Sequence, residues 1–336
     1  MNALYPWQQE DWQRLQALRQ RLPHGLLLKG GQGIGKLDLA LAFAASLLCV
    51  HPDDDGQACG KCASCHWFEQ GSHPDFRLVQ SEADAVGDAG EAIEGEKADK
   101  KKSKVIRIEQ LRALEDFFNQ SAHQGQRRVV VISPAESMPP AAANALLKTL
   151  EEPTPGLHFL LVTHKPQQLL PTILSRCLAF AVTLPPAETA CRWLSEQGVT
   201  DAEAVLAQAG FAPLLALELA TQEQGAGRAI LLQALCAAPS VDYLALADKL
   251  QRTELPQVVH WLQQWCYDLS SVRSTGRVRY HGNHAAALRK LADRVAPLQL
   301  MNFQRDLLTA RREASHPLNP RLFLESLFAA YQHCYA

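Results

Sequence analysis

The chain has 336 residues, 33 Lys+Arg against 35 Asp+Glu, nine cysteines and 47% hydrophobic residues. That length supports two or three domains with proper cores, and the near-balanced charge excludes a protein that holds nucleic acid by bulk positive charge. Met1 to Asp11 lacks the basic-then-apolar pattern of an export signal, and the run Leu39 to Leu48, broken by Ser46, is too short to span a bilayer, so a soluble, cytoplasmic, reducing setting is expected.

Residues 7–22, with Trp7, Trp12, Leu15, Leu18 and Leu22 among polar neighbours, have the spacing of an amphipathic helix that Pro23 ends. Leu26–Leu28 reads as a buried strand. It runs into Lys29-Gly30-Gly31-Gln32-Gly33-Ile34-Gly35-Lys36-Leu37, the phosphate-loop pattern G-x-x-x-x-G-K-[ST] with Leu37 where a hydroxyl is required. Glycines let backbone N–H groups wrap a phosphate, and the missing hydroxyl is the one that ligates Mg²⁺. Gly30, Gly33, Gly35 and Lys36 are the candidate phosphate contacts. The following stretch, 37–48, is apolar almost all round and is expected to be an interior helix.

Cys49, Cys59, Cys62 and Cys65 follow with the spacing C-x₉-C-x₂-C-x₂-C. Four thiolates so spaced close a tetrahedron round Zn²⁺, and a closed four-Cys set is structural, with no position left open for catalysis. Gly56 and Gly60 let the loop turn, while His66 and His73 read as bystanders. Phe76–Val79 is a second short strand. Residues 81–104 hold seven acidic and five basic residues with little apolar content, the composition of a solvated insertion.

Helical spacing returns at Ile108 to Phe118. Val129–Ile132 reads as a buried strand, Ala141–Leu150 as a helix stopped before Pro153, and Phe159–Val162 and Leu178–Val182 as strands. His158, His164 and Lys165 read as surface residues. Pro185-Pro186 marks a boundary, beyond which only helical patterns occur: 187–196, 201–209, 213–221 and a longer set over 228–334. Trp261 and Trp265, four apart, belong to one packed helix face. Short apolar strands alternating with helices predict an α/β fold whose parallel sheet is covered on both faces, followed by small helical domains.

Asn144-Ala145-Leu146-Leu147-Lys148-Thr149-Leu150-Glu151-Glu152-Pro153, with Ser175-Arg176-Cys177 downstream, resembles the clamp-loader branch of the AAA+ ATPases. The cysteine module narrows the resemblance to the delta-prime family of bacterial DNA polymerase III, and Asn319-Pro320-Arg321-Leu322-Phe323-Leu324-Glu325 resembles that family's last helix. The resemblance implies a P-loop AAA+-like domain over 1–183, a helical lid over 184–225 and a helical collar for oligomerisation over 226–336. It also implies partners: the gamma/tau motor subunits, the delta subunit, and, through the assembly, the sliding clamp and primed DNA. No membrane partner and no polymerase active site are expected on this chain.

In the family the strand matching Val129–Ile132 is followed by Asp-Glu, which hold Mg²⁺ and activate water. Here those positions are Ser133 and Pro134, and Glu136 is displaced by three residues, too far for a substitute base. A helical sensor motif ending in Arg is matched by Gly210-Phe211-Ala212-Pro213, which ends in Pro. Thr163 sits where the family has a polar sensor, here vestigial. The phosphate loop therefore reads as a frame that keeps the strand–helix turn, with weak ATP or phosphate binding as the alternative, and no hydrolysis is expected of the isolated chain. Arg176, matching the family's Ser-Arg-Cys, is expected to act in trans on a neighbour's ATP. Two other functions remain open: an active P-loop motor subunit, against which Leu37, Ser133 and Pro134 speak, and a stand-alone zinc-containing DNA-binding protein, against which the balanced charge speaks.

Overall fold

The computed structural model describes residues 4–84, 103, 105–119, 122–123, 127–221, 225–238, 241–314 and 316–335. Most of the segment expected to be a solvated insertion, residues 85–102 and 104, lies outside them. The chain divides into two compact units, Met1–Thr189 and Ala190–Ala336.

Five parallel strands organise the first unit: β1 (Gly25–Lys29), β2 (Phe76–Val79), β3 (Arg128–Ile132), β4 (Leu157–Thr163) and β5 (Leu178–Ala181), in the order β2-β3-β4-β1-β5. Leu27 of β1 pairs with Leu161 of β4, and Val130 of β3 with Phe159, so the central strands are staggered little and buried almost throughout. Successive side chains alternate between the faces. Leu27, Val130, Ile132, Phe159 and Leu161 form one cluster with Leu111, Phe117, Leu146 and Leu150. Their neighbours in sequence, including Leu26, Leu28, Val131 and Leu160, are equally buried, which covers both faces as the strand pattern predicts.

The helices of this unit are α1 (Gln9–Leu18), α2 (Lys36–Leu48), α3 (Ala63–Glu69), α4 (Ile108–Arg112), α5 (Glu115–Asn119), α6 (Pro140–Glu151) and α7 (Pro171–Leu174). The stretch Ile108 to Phe118, expected as one helix, is two short ones. Leu114 N–H bonds to Leu111 O, tightening the chain between α4 and α5. Phe117 and Phe118, both in α5, are both buried in the core.

α1 and the residue that ends it tie two loops and α2 together. Buried Asp11 accepts from Thr183 N and Thr183 Oγ1 at 2.8 and 2.9 Å just past β5. Trp12 Nε1 donates to Asp55 O at 2.9 Å, and Arg19 donates to Ser46 O at 2.8 Å and Gly56 O at 3.3 Å, which anchors the cysteine loop.

The second unit is helical: α8 (Ala187–Glu196, which begins just before it), α9 (Ala202–Gln208), α10 (Pro213–Thr221), α11 (Gly225–Cys236), α12 (Tyr243–Leu250), α13 (Leu255–Thr275), α14 (Ala285–Ala292), α15 (Pro297–Glu313) and α16 (Pro320–Gln332). It holds two apolar clusters. Ala190, Leu194, Ala202, Leu206 and Ala216 make the smaller; the larger is built on α11–α16 around Trp261, Trp265, Phe303, Phe328 and Tyr331. Both tryptophans are core residues as their spacing predicts, and Trp265 Nε1 donates to Tyr331 Oη at 2.9 Å. Among the described residues no single helix is long and apolar enough to cross a membrane.

Candidate functional site

The four cysteines converge. Cys49 ends α2, Cys62 caps α3, and Cys65 lies in its first turn. Their sulfurs all lie within 4.8 Å of one another. Neighbouring Sγ···Sγ separations are 3.5 Å (Cys62–Cys65), 3.6 Å (Cys49–Cys65) and 3.9 Å (Cys49–Cys62 and Cys59–Cys65). Four sulfurs about 2.3 Å from one ion lie about 3.8 Å apart in a regular tetrahedron, so the set fits a tetrahedral metal. Gly60, between the ligands, has φ +70°, the left-handed turn that a side chain resists.

Backbone N–H groups prepare part of the set for deprotonation. Those of Lys61 and Cys62 lower the Cys59 thiol. Burial opposes ionisation of Cys62, but hydrogen bonds from Val50, Cys65 and the neighbouring thiols hold it at about 6. Burial raises the thiols of Cys49 and Cys65. Both expected bystanders stay out. His66 is exposed, and buried His73 has both ring nitrogens engaged, Nδ1 with Asp75 N at 3.0 Å and Nε2 with Ser64 Oγ at 2.8 Å.

The phosphate loop joins β1 to α2 as the glycine pattern predicts. Gly33 and Gly35 have φ +74° and +83°. A Cβ on Gly35 would come within 2.6 Å of Gln8 Nε2 and 2.7 Å of the Tyr5 ring. The chain before α1 is laced to the loop: Trp7 Nε1 donates to Ile34 O at 3.0 Å and Gln8 Nε2 to Gly35 O at 2.7 Å. Lys36 is 2% exposed, and its ammonium donates to Gly31 O within its own loop. Burial pushes its pKa down to about 8, with the Glu136 charge opposing. Leu37 places only carbon where a hydroxyl would meet a metal.

At the ends of β3 and β4 the structure corrects two expectations. Glu136 Oε1 accepts the N–H of His164 at 2.9 Å, and its charge bears on Lys36. His164 is not a surface residue but half-buried. Glu136 Oε2 and His164 Nδ1 are both buried without a hydrogen-bond partner, and burial, then Lys36, lowers the His164 pKa. His158 is likewise half-buried, with Nδ1 3.0 Å from Pro23 O, whereas Lys165 is exposed as expected. Residues so far apart in sequence carry no local signal of meeting. Thr163 is fully buried at the end of β4, its Oγ1 accepting Lys165 N–H at 3.2 Å. Pro213 opens α10 after Gly210 and Phe211, both at positive φ.

Arg176 sits between α7 and β5, apart from the loop chemistry. Cys177 beside it is buried, its thiol pushed up to about 11 by burial, and a Cβ on Gly25 would come within 3.0 Å of its sulfur. Arg176 itself is half-buried, with its side chain 32% exposed. Its guanidinium pairs with Glu151 at 2.5 Å and donates to Thr172 O at 3.0 Å. The sequence quotes Glu151 in one motif and Arg176 in another, without indicating that they meet.

Residues 7–186 match the family model described as DNA polymerase III, delta subunit, and residues 222–333 match DNA polymerase III, delta subunit, C terminal. DNA polymerase III subunit delta' of Pseudomonas aeruginosa is 35% identical over 355 residues, covering 98% of each chain. The Escherichia coli K12 protein of the same name is 30% identical over 344 residues, covering 98% of this chain and 95% of that one. A DNA polymerase III subunit tau/gamma of Haemophilus influenzae is 37% identical over 160 residues, covering 48% of this chain and 20% of that protein. Matched by family models in both parts and by full-length relatives, the chain belongs to the DNA polymerase III subunit delta' family.

Proposed function

We propose that this chain is the non-hydrolysing subunit of a bacterial clamp-loader assembly, working in the cytoplasm with gamma/tau-type motor subunits and a delta subunit to load a sliding clamp onto primed DNA. Arg176 is its chemical contribution, reaching in trans to the ATP of a neighbouring subunit. There a planar, permanently charged fork stabilises the transferring phosphoryl group, an effect worth roughly 10³–10⁵ in rate in other NTPases. The observation that carries this reading is a contrast within one chain. Leu37, Ser133, Pro134 and Pro213 lack the metal-ligating, basic and sensing groups that hydrolysis needs, while Arg176 is retained beside buried Cys177 with its side chain partly exposed.

Lys36, turned onto Gly31 O, supports the reading of Gly30 to Lys36 as a vestigial loop. Thr163 is then a strand-end residue without a γ-phosphate to read. Cys49, Cys59, Cys62 and Cys65 would hold a structural Zn²⁺; the sulfur separations support that assignment. The domain reading is a nucleotide-type domain over 1–183, a lid over 184–225 and a collar over 226–336, supported in the second unit by its two separate cores. The test is direct: the purified chain alone should hydrolyse no ATP above background, and it should co-purify with motor and delta subunits when all are expressed together. ATP turnover by the isolated chain, or its failure to join the assembly, would overturn the proposal.

A further inference from the structure

The helical unit contains a cavity that the chemistry above leaves unused. On α11, Arg228, Leu232 and Cys236 fall at i, i+4 and i+8, one row on one helix face. They line a space of about 450 Å³ together with Gln208, Gln233 and His284, a size typical of small-molecule sites.

Arg228 is 5% exposed, and among the described residues no carboxylate pairs with it. One terminal nitrogen lies 3.3 Å from Gln264 Oε1 and 3.2 Å from His281 Nε2. The nearest acid in that chain of contacts, Asp268, is one imidazole away. Its Oδ2 accepts from His281 Nδ1 at 2.8 Å, and its two oxygens are taken up by the backbone N–H groups of Arg279, Tyr280 and His281. With His281 Nδ1 protonated and donating to Asp268, Nε2 is the acceptor for Arg228. Among the described residues Arg228 Nε, itself buried, has no acceptor.

A buried cation without a carboxylate partner is costly until an outside anion offsets its charge. Among the described residues no acidic side chain lines the cavity, and its other polar wall is Cys236 Sγ, 3.5 Å from His284 Nδ1. Leu232 supplies an apolar wall beside the charge. We propose that this cavity binds a small carboxylate, its head on the Arg228 guanidinium and a short apolar tail against Leu232.

The probe is hexanoate, titrated against the full chain by ligand-observed NMR, with hexanamide at equal ionic strength as the uncharged control. Hexanoate should bind saturably and at least about ten-fold more tightly than hexanamide, the difference expected of one charge-assisted contact. Arg228→Met should abolish the preference. Because Arg228 is buried and its loss perturbs the helix, Gln233→Glu is the paired variant: Gln233 is exposed, and a carboxylate there repels the ligand while leaving the core intact. It should weaken hexanoate about five-fold and leave hexanamide unchanged. Absence of saturable hexanoate binding, equal binding of hexanamide, or an undiminished affinity in Gln233→Glu would each overturn the assignment.

Discussion

Arg176 is paired with Glu151 across 2.5 Å, and this contact joins the Ser175-Arg176-Cys177 motif to the C-terminal end of α6. A cation at the end of a helix also meets the negative end of its dipole. With both side chains partly exposed, such a pair is worth about 0–1 kcal/mol. Glu151 therefore parks the guanidinium without locking it. Glu151→Gln should leave the steady-state ATPase of a reconstituted assembly within about five-fold of wild type. A loss of a hundred-fold or more would make Glu151 a required positioning residue.

The thiolate cluster makes a compositional prediction. Purified chain should carry about one equivalent of zinc, retained through gel filtration and released by a strong chelator with all four thiols becoming reactive. Cys65→Ser, at a position 2% exposed, should lose the metal and lower the melting temperature by at least about 4–8 °C, the shift expected from about 2 kcal/mol in a domain of this size. Less than half an equivalent of metal in wild-type protein, with the thiols freely reactive, would contradict the assignment.

Lys36 gives a pH signature. Its pKa is about 8 in the folded chain against 10.5 in the unfolded one. Below pH 8 both states carry the charge, and the full cost of burying it falls on the fold. Between about pH 8 and 10.5 the unfolded state binds more protons, so stability rises with pH through that window. Lys36→Met has no charge to bury. It should be more stable than wild type by about 1–3 kcal/mol at pH 7, after allowing for the lost bond to Gly31 O, and the gap should narrow as pH rises toward 10. Urea denaturation at three pH values measures it; a gap that widens with pH refutes the account.

Restoring one part of the phosphate loop should restore nothing. Leu37→Thr supplies the missing hydroxyl, but Ser133 and Pro134 still offer neither metal carboxylate nor base, and Lys36 remains turned onto Gly31 O. The variant should hydrolyse ATP no faster than wild type in a coupled assay of the isolated chain. A clear gain in turnover would contradict the reading of the loop as vestigial.

The sequence made the scaffold legible because its signals are local. Val129–Ile132 is a continuous β-branched run, and the observed strand extends it only by Arg128. The four cysteines and the loop glycines have spacings that leave little choice of geometry. The helix through Ile108 to Phe118 was over-extended because the apolar period is the same on either side of the tightened turn at Leu114. Contacts between distant segments left no trace. Glu136 meets His164 because the chain after β3 passes the end of β4, and Glu151 meets Arg176 because α6 and α7 end close together. The burial of His164 follows from that topology as well, which periodicity does not encode.

The central claim is that the chain's catalytic contribution lies at Arg176 and serves another subunit. The most direct measurement is DNA- and clamp-stimulated ATP hydrolysis by an assembly reconstituted with Arg176→Ala, after confirming that the variant folds and assembles. The account predicts a fall of roughly 10²-fold or more at one neighbouring site with nucleotide binding retained. Unchanged turnover at every site would contradict it.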